Sequence, residues 1–239
     1  SLVGFAALLM LAFVGLPLAF SMLLVGTLGF MLERNLGAAF SMVGQQILDF
    51  STNYSLTVLP LFILMGTFVH RAKMSEELYE SANAWLGHHR GGLAMATVAA
   101  CAGFAAVSGS SLATAATMSK VAMPPMRRFK YADSLAAGTI AAGGTLGILI
   151  PPSVPMVIYG ILTEVDIGKL FIAGVVPGIL LVFLYFSAIS LLTRWKPQMG
   201  PPGEKVDWPN RWRSLGKVWG VLVLFLIVLG GIYVGVFTP

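Results

Sequence analysis

The sequence predicts an all-α, polytopic membrane protein, and three observations carry that reading. Apolar residues make up 57% of the 239 positions and charged residues only 10%, with a mean hydropathy of +0.85; a soluble domain carries about a quarter charged residues. Apolar runs long enough to cross a hydrocarbon core, about 20 residues at 1.5 Å rise each, occur at 2–32, 134–163, 168–193 and 218–237. Lysine and arginine fall unevenly between those runs. A cytosolic enzyme with a polar surface all round is excluded, as is disorder, and the 27 glycines show no collagen-like period. Cys101 stands alone, so there is neither a disulfide framework nor a thiolate metal cluster.

The elements follow in order. Residues 2–32 have length for one span, tilted or kinked at Gly15-Leu16-Pro17, and are too long for a signal-peptide core. Leu36, Phe40, Val43, Ile47 and Phe50 recur at helical spacing against Ser41, Gln45, Gln46 and Asp49, which predicts an interfacial helix over 36–50. A shorter apolar run, 54–69, is broken only by Pro60 and completes an N-terminal set of helices over 1–70. Residues 71–90 form an amphipathic connector: Ser75 is positioned to cap a helix, Glu76 and Glu77 fill its first turn, and Leu78, Ala82, Trp85 and Leu86 make one apolar stripe up to Gly87. His70, His88 and His89 lie in or beside this polar stretch; the His88-His89 pair has no carboxylate or cysteine at ligand spacing and reads as a solvated helix end.

Residues 91–126 decide the topology. An apolar arm (91–107) leads to Ser108-Gly109-Ser110-Ser111, and a return arm carries Thr114, Thr117, Ser119 and Lys120. A single crossing would divide the basic residues ten to four. If the segment enters and returns on one side, twelve basic residues share one face, with only Arg34 and Lys169 opposite and Lys120 within the return arm. The positive-inside rule favours the second arrangement and makes that face cytoplasmic. Two full crossings would keep the same parity, but the return arm is short and too polar to face lipid. The reading is therefore a re-entrant helical hairpin, with 108–111 at its tip and the loops 71–90, 127–133 and 194–217 in the cytoplasm. The basic balance then implies attraction to anionic membrane lipid and requires no nucleic acid.

A second break lies within 134–163. Gly143-Gly144-Thr145-Leu146-Gly147 is followed by Ile150-Pro151-Pro152-Ser153-Val154-Pro155, and each proline removes a donor and pushes its predecessor out of helical geometry. Two half-helices joined by an unwound stretch over 143–152 are expected, near the bilayer midplane. The unpaired backbone groups there must face protein, water or a ligand. The half-helix ending at the hairpin tip presents carbonyls to a cation, and the half-helices starting after Ser111 and around Pro152 present amides to an anion. Discontinuous helices meeting in this way suit an ion-coupled transporter of anionic substrates; the bland alternative is close packing at the serines and a mere kink at the prolines. Neither break contains Asp, Glu or His, so backbone carbonyls and hydroxyls would hold sodium rather than relay protons. After a helix over 168–193 and the cytoplasmic loop 194–217, residues 218–239 form a last transmembrane helix.

Val107-Ser108-Gly109-Ser110-Ser111-Leu112-Ala113-Thr114-Ala115, paired with Gly144-Thr145-Leu146-Gly147-Ile148-Leu149-Ile150-Pro151-Pro152-Ser153, resembles the large membrane subunit (DctM type) of tripartite ATP-independent periplasmic (TRAP) transporters. The resemblance extends over essentially the whole chain, including Pro60-Leu61-Phe62-Ile63 and Gly230-Gly231-Ile232-Tyr233 before Phe237-Thr238-Pro239. It implies an elevator-type ion-transporter fold in the bacterial inner membrane, of which this chain holds the first repeat. Residues 1–70 would be scaffold-type and 91–193 transport-type. It also implies sodium-driven uptake of an organic anion, delivered by a periplasmic binding protein, with a small four-helix membrane subunit (DctQ type) completing the scaffold. Carried over, Ser108, Gly109, Ser110 and Ser111 would line a sodium site with Gly143, Gly147 and Pro151. Ser111, Thr114, Pro152 and Ser153 would lie toward the substrate. Family members are about twice as long, with a second inverted repeat, so a fragment with one ion half-site and an incomplete substrate cavity is expected. A non-transporting scaffold is the main alternative. An intramembrane serine protease at Ser108-Gly109 lacks a histidine in an apolar segment, and Ala106 stands where a Gly-x-Ser-Gly motif needs glycine.

Overall fold

The computed structural model describes residues 2–52, Leu56 and 58–236. Among them there are helices and no strands: α1 Leu2–Phe13, α2 Leu18–Glu33, α3 Leu36–Thr52, α4 Val58–Arg71, α5 Met74–Leu86, α6 Gly92–Ser108, α7 Ser111–Arg128, α8 Asp133–Leu149, α9 Val154–Thr163, α10 Ile167–Trp195, α11 Trp208–Leu215 and α12 Trp219–Val234. They gather into two compact units, 1–56 and 57–239. α4 belongs to the second unit, where it packs on α5, α6 and α9.

The first unit corrects the single kinked span. Gly15 adopts φ +96°, and the chain reverses there: a Cβ on Gly4 would lie 3.6 Å from Val25 Cγ1, a proximity that a kinked rod over 2–32 would not allow. The 12 residues of α1 are about 18 Å long, well short of the hydrocarbon thickness. The helix expected over 36–50 is present as α3, with Leu36, Phe40, Ile47 and Phe50 exposed and Ala39 buried.

In the second unit, α6 and α7 form an antiparallel helical hairpin. Thr97 on α6 meets Met126 on α7 (Oγ1 to Sδ, 3.8 Å). α8 lies along both: Gly143 touches Cys101 and Val98 on α6, while Gly144 meets Ala115 and Gly147 meets Ser110 and Ser111 on α7. These pairings make α8 parallel to α6 and antiparallel to α7. The close approach needs glycine, since a Cβ at 143, 144 or 147 would come within 2.7–2.8 Å of those neighbours. Small residues of this kind let helix backbones pack tightly.

The hairpin's open end, its base, is stitched to the later chain. The Gly91 N–H donates to Gly200 O (2.9 Å), the Ala132 N–H to Met199 O (3.0 Å) and the Gly203 N–H to Gly87 O (2.8 Å). Tyr131, whose phenol burial pushes up to about 12, accepts the Leu93 N–H at 3.2 Å. Arg127 pairs with Asp133 across the α7–α8 turn. α5 begins at Lys73 in the left-handed region with no side-chain cap, so Ser75 does not cap it; Ser75 is buried, as are Leu78, Tyr79, Ser81 and Ala84. The connector is packed on more than its predicted stripe.

α10 runs the full height of the unit, its 29 residues spanning about 43 Å. Its C-terminal end packs at the base, where a Cβ on Gly91 would meet Ile189 and Thr193. Nearer its start, Gly174 and Gly178 lie against the Leu149 carbonyl. α12 runs the other way, from Lys217, paired with Glu80 on α5, to Ile232 beside Gly168. Among the described residues, three segments are long and apolar enough to cross a membrane: Asp133–Thr163, Ile167–Trp195 and Trp208–Val234. The apolar interior forms two clusters. The larger one joins α5, α6, α7 and α8 around Phe104, Met118 and Leu146, and the smaller joins Val157, Phe171 and Leu229 from α9, α10 and α12.

Candidate functional site

The two predicted breaks meet. α6 ends at Ser108, Gly109 takes φ +60°, and Ser110 opens α7 as its N-cap, accepting the Ala113 N–H at 3.3 Å. The second break is narrower than expected. Gly143, Gly144 and Gly147 are all helical within α8, which continues to Leu149, so only 150–153 are unwound. The prolines, rather than the glycines, end the helix, because Pro151 and Pro152 bring no N–H. From α9 the Val154 N–H donates to Gly109 O at 3.1 Å, and a Cβ on Gly109 would lie 2.8 Å from Pro152 O. The C-termini of α6 and α8 and the N-termini of α7 and α9 therefore converge, bringing two carbonyl-bearing and two amide-bearing helix ends together.

The hydroxyls brace this junction from inside. Ser108 Oγ pairs with Thr114 Oγ1 at 3.0 Å, and Thr114 Oγ1 donates to Ser110 O at 2.7 Å. Ser153 Oγ donates to Ile148 O at 2.7 Å, supplying the donor that Pro152 lacks. Thr114 and Ser153 are fully buried and their hydroxyls are engaged within the protein. Ser108, Gly109, Ser110, Ser111, Gly147, Pro151 and Pro152 lie at the junction, whereas Gly143 sits a turn earlier on α8, against Cys101 and Val98. A cation fits the donor set chemically: Pro151 has no N–H for the Gly147 carbonyl, so that oxygen retains lone pairs for another partner.

One flank of the junction comes from α4. A cavity of about 180 Å³ is lined by Gly66, Thr67, His70, Phe104, Ser108, Ser110, Ala113 and Thr117. His70 Nδ1 lies 3.4 Å from Thr117 Oγ1, and a Cβ on Gly66 would approach Ser108 Cα to 3.4 Å. Sequence reasoning assigned His70 to the polar connector and missed this flank. The available signal was the spacing of Gly66, Thr67 and His70 on one face of an otherwise apolar helix. Although His70 and Ser108 share the cavity, the Ser108 hydroxyl is bonded to Thr114 rather than to the imidazole. Among the described residues no cluster of three His, Cys, Asp or Glu side chains could hold a metal ion.

The family model for the DctM component of tripartite ATP-independent periplasmic transporters matches residues 5–239. The chain belongs to the DctM family. It is 44% identical over 196 residues to the C4-dicarboxylate TRAP transporter large permease protein DctM of Pseudomonas aeruginosa, covering 81% of this chain and 45% of that protein. It is 40% identical to the corresponding Vibrio cholerae protein, covering 95% and 49%. It is 35% identical to the ectoine/5-hydroxyectoine TRAP transporter large permease protein UehC of Ruegeria pomeroyi, covering 98% and 54%. The DctM-family chain thus spans about half the length of the curated relatives it matches. These relatives are named as transporter permeases rather than enzymes.

Proposed function

We propose that this chain is part of the large permease subunit of a sodium-coupled secondary transporter that imports an organic carboxylate across the bacterial inner membrane. A periplasmic binding protein delivers the substrate, and a small four-helix membrane subunit completes the scaffold. Sodium is held where the hairpin tip meets the α8–α9 break, by carbonyls that include Gly147 O, with Ser108 to Ser111 and Pro151 shaping the cage. The amide end of α7 and the cavity beside Ser110 and His70 face the carboxylate. An elevator-type displacement of the hairpin unit carries both across.

The observation that supports this most is the backbone bond from Val154 to Gly109, which joins two discontinuous helices into one site. Re-entrance of the hairpin has its own support. The base lies level with Thr193 on α10 and the break lies between the levels of Gly174 and Gly178; the hairpin thus rises about 23–29 Å along a helix of about 43 Å. Reconstitution of the intact subunit with its small membrane subunit and binding protein tests the proposal. Uptake of a labelled C4-dicarboxylate into liposomes is expected under an inward sodium gradient and not under an equal choline gradient. Equal uptake in both would remove sodium coupling.

A further inference from the structure

Arg211 is buried, with only 7% of its surface exposed, yet it has no carboxylate partner. The ion pairs among the described residues are Arg127–Asp133 and Lys217–Glu80. Glu204 and Asp207, the nearest acids in sequence, are exposed and make no ion pair with Arg211. What holds the guanidinium is neutral: Nε donates to Val206 O at 2.9 Å, Nη2 lies 3.4 Å from His88 Nδ1, and Cζ sits 5.4 Å from the Trp208 ring centroid. Buried arginines are ordinarily paired with an anion, because desolvating the charge is costly. Here the surroundings add positive charge. Lys205 and Arg213 lie exposed nearby in sequence, and desolvation, then the His89, Arg211 and Lys205 charges, lower the pKa of His88.

The surroundings of Arg211 indicate the kind of anion that would meet it. Trp85 stands edge-on to Trp208 and Trp212, at 6.2 and 5.7 Å between centroids, and its Nε1 donates to Arg211 O at 3.3 Å. Of the five tryptophans of the chain, these three lie with Arg211 and Trp195 closes α10 at the base end, while Trp219 opens α12. Four of them are more than 60% exposed, Trp85 being the half-buried one. Clustered tryptophans beside apolar spans mark the membrane–water interface, where phospholipid phosphates also lie. Among the described residues the far end of α12 carries the exposed Tyr233 but no tryptophan.

We propose that Arg211, flanked by Trp208, Trp212 and Lys205, binds the phosphate of an anionic phospholipid headgroup in the leaflet at the hairpin base. The guanidinium fork suits paired phosphate oxygens, and the exposed indoles seat the glycerol and upper acyl region. The assignment rests on the chain being membrane-embedded and is independent of which ion or substrate is carried.

Native mass spectrometry of the intact subunit purified with phosphatidylglycerol tests this. The wild-type protein is expected to retain one phosphatidylglycerol more tightly than phosphatidylcholine. Arg211→Gln should lower that retention about fivefold, the scale of one basic side chain at an anionic surface, while Arg213→Gln lowers it less. Equal retention in wild type and Arg211→Gln, or equal losses in both variants, would overturn the site. Should Arg211→Gln fail to fold, Lys205→Gln and the melting point of wild-type protein in nanodiscs decide. A rise with phosphatidylglycerol that saturates near one equivalent, and that millimolar inorganic phosphate does not reproduce, supports the lipid. A rise with free phosphate alone, or no rise at all, refutes it.

Discussion

Gly109 is the residue on which the junction turns. It combines a left-handed backbone with a flank against Pro152 O, so a methyl group there meets two penalties. Placing an L-residue in that conformation costs roughly 1–2 kcal/mol, and carbonyl overlap adds to it. Gly138, also in the hairpin unit, has open space where a Cβ would go, and alanine there should gain up to about 1 kcal/mol of helix propensity. Gly109→Ala is therefore expected to melt at least about 2 °C below wild type and to lose sodium-driven uptake, while Gly138→Ala melts at or above wild type and keeps it. Similar melting points for the two variants in a thermal unfolding assay would show that the contact with Pro152 O carries no weight. The serines at the tip and the prolines at the break were legible because polar and helix-breaking residues inside apolar runs stand out. The inward bracing of Thr114 and Ser153 was not, because it depends on side-chain direction across a turn.

Among the elements, the α8–α9 break is where prediction and structure differ most instructively. Three glycines beside three prolines read as one long unwound stretch, yet the glycines stay helical because each lies flush against α6 or α7, and that packing offsets their intrinsic helix cost. The same distinction explains the N-terminus. Gly15-Leu16-Pro17 was legible as an interruption, but whether a break kinks a span or reverses it depends on what the far arm packs against, here Gly4 against Val25. Helix existence was otherwise readable from apolar period, and the α6–α7 turn from the polar stretch Ser108–Ser111 inside an apolar run. The break has a sharp consequence at Pro151. Replacing it by alanine returns an N–H that can bond the Gly147 carbonyl. Pro151→Ala should therefore fold, with circular dichroism near wild type, and lose the melting-point increase expected when sodium replaces choline. A retained sodium increase would take the Gly147 carbonyl out of the ion site.

For the whole unit, the division of the apolar interior into two clusters acquires a meaning beyond packing. The junction lies on the seam between them: Leu146 belongs to the larger cluster and Val157 to the smaller. Few bonds cross it, chiefly Val154 to Gly109. Pro177, inside α10 between the two glycines that lean on Leu149 O, puts that helix's easiest bending point at the same level. A cation seated among carbonyls from both sides would act as a rivet through a hinge. On that reading, α9 and the first turns of α10 would move more freely without the ion than the base does. Hydrogen exchange on the intact subunit should then slow on sodium addition at 153–160 and 174–178 and stay unchanged at 94–105, where α6 is clamped inside the larger cluster. Uniform slowing across both regions would mean that the ion tightens the entire body, leaving no hinge for it to lock.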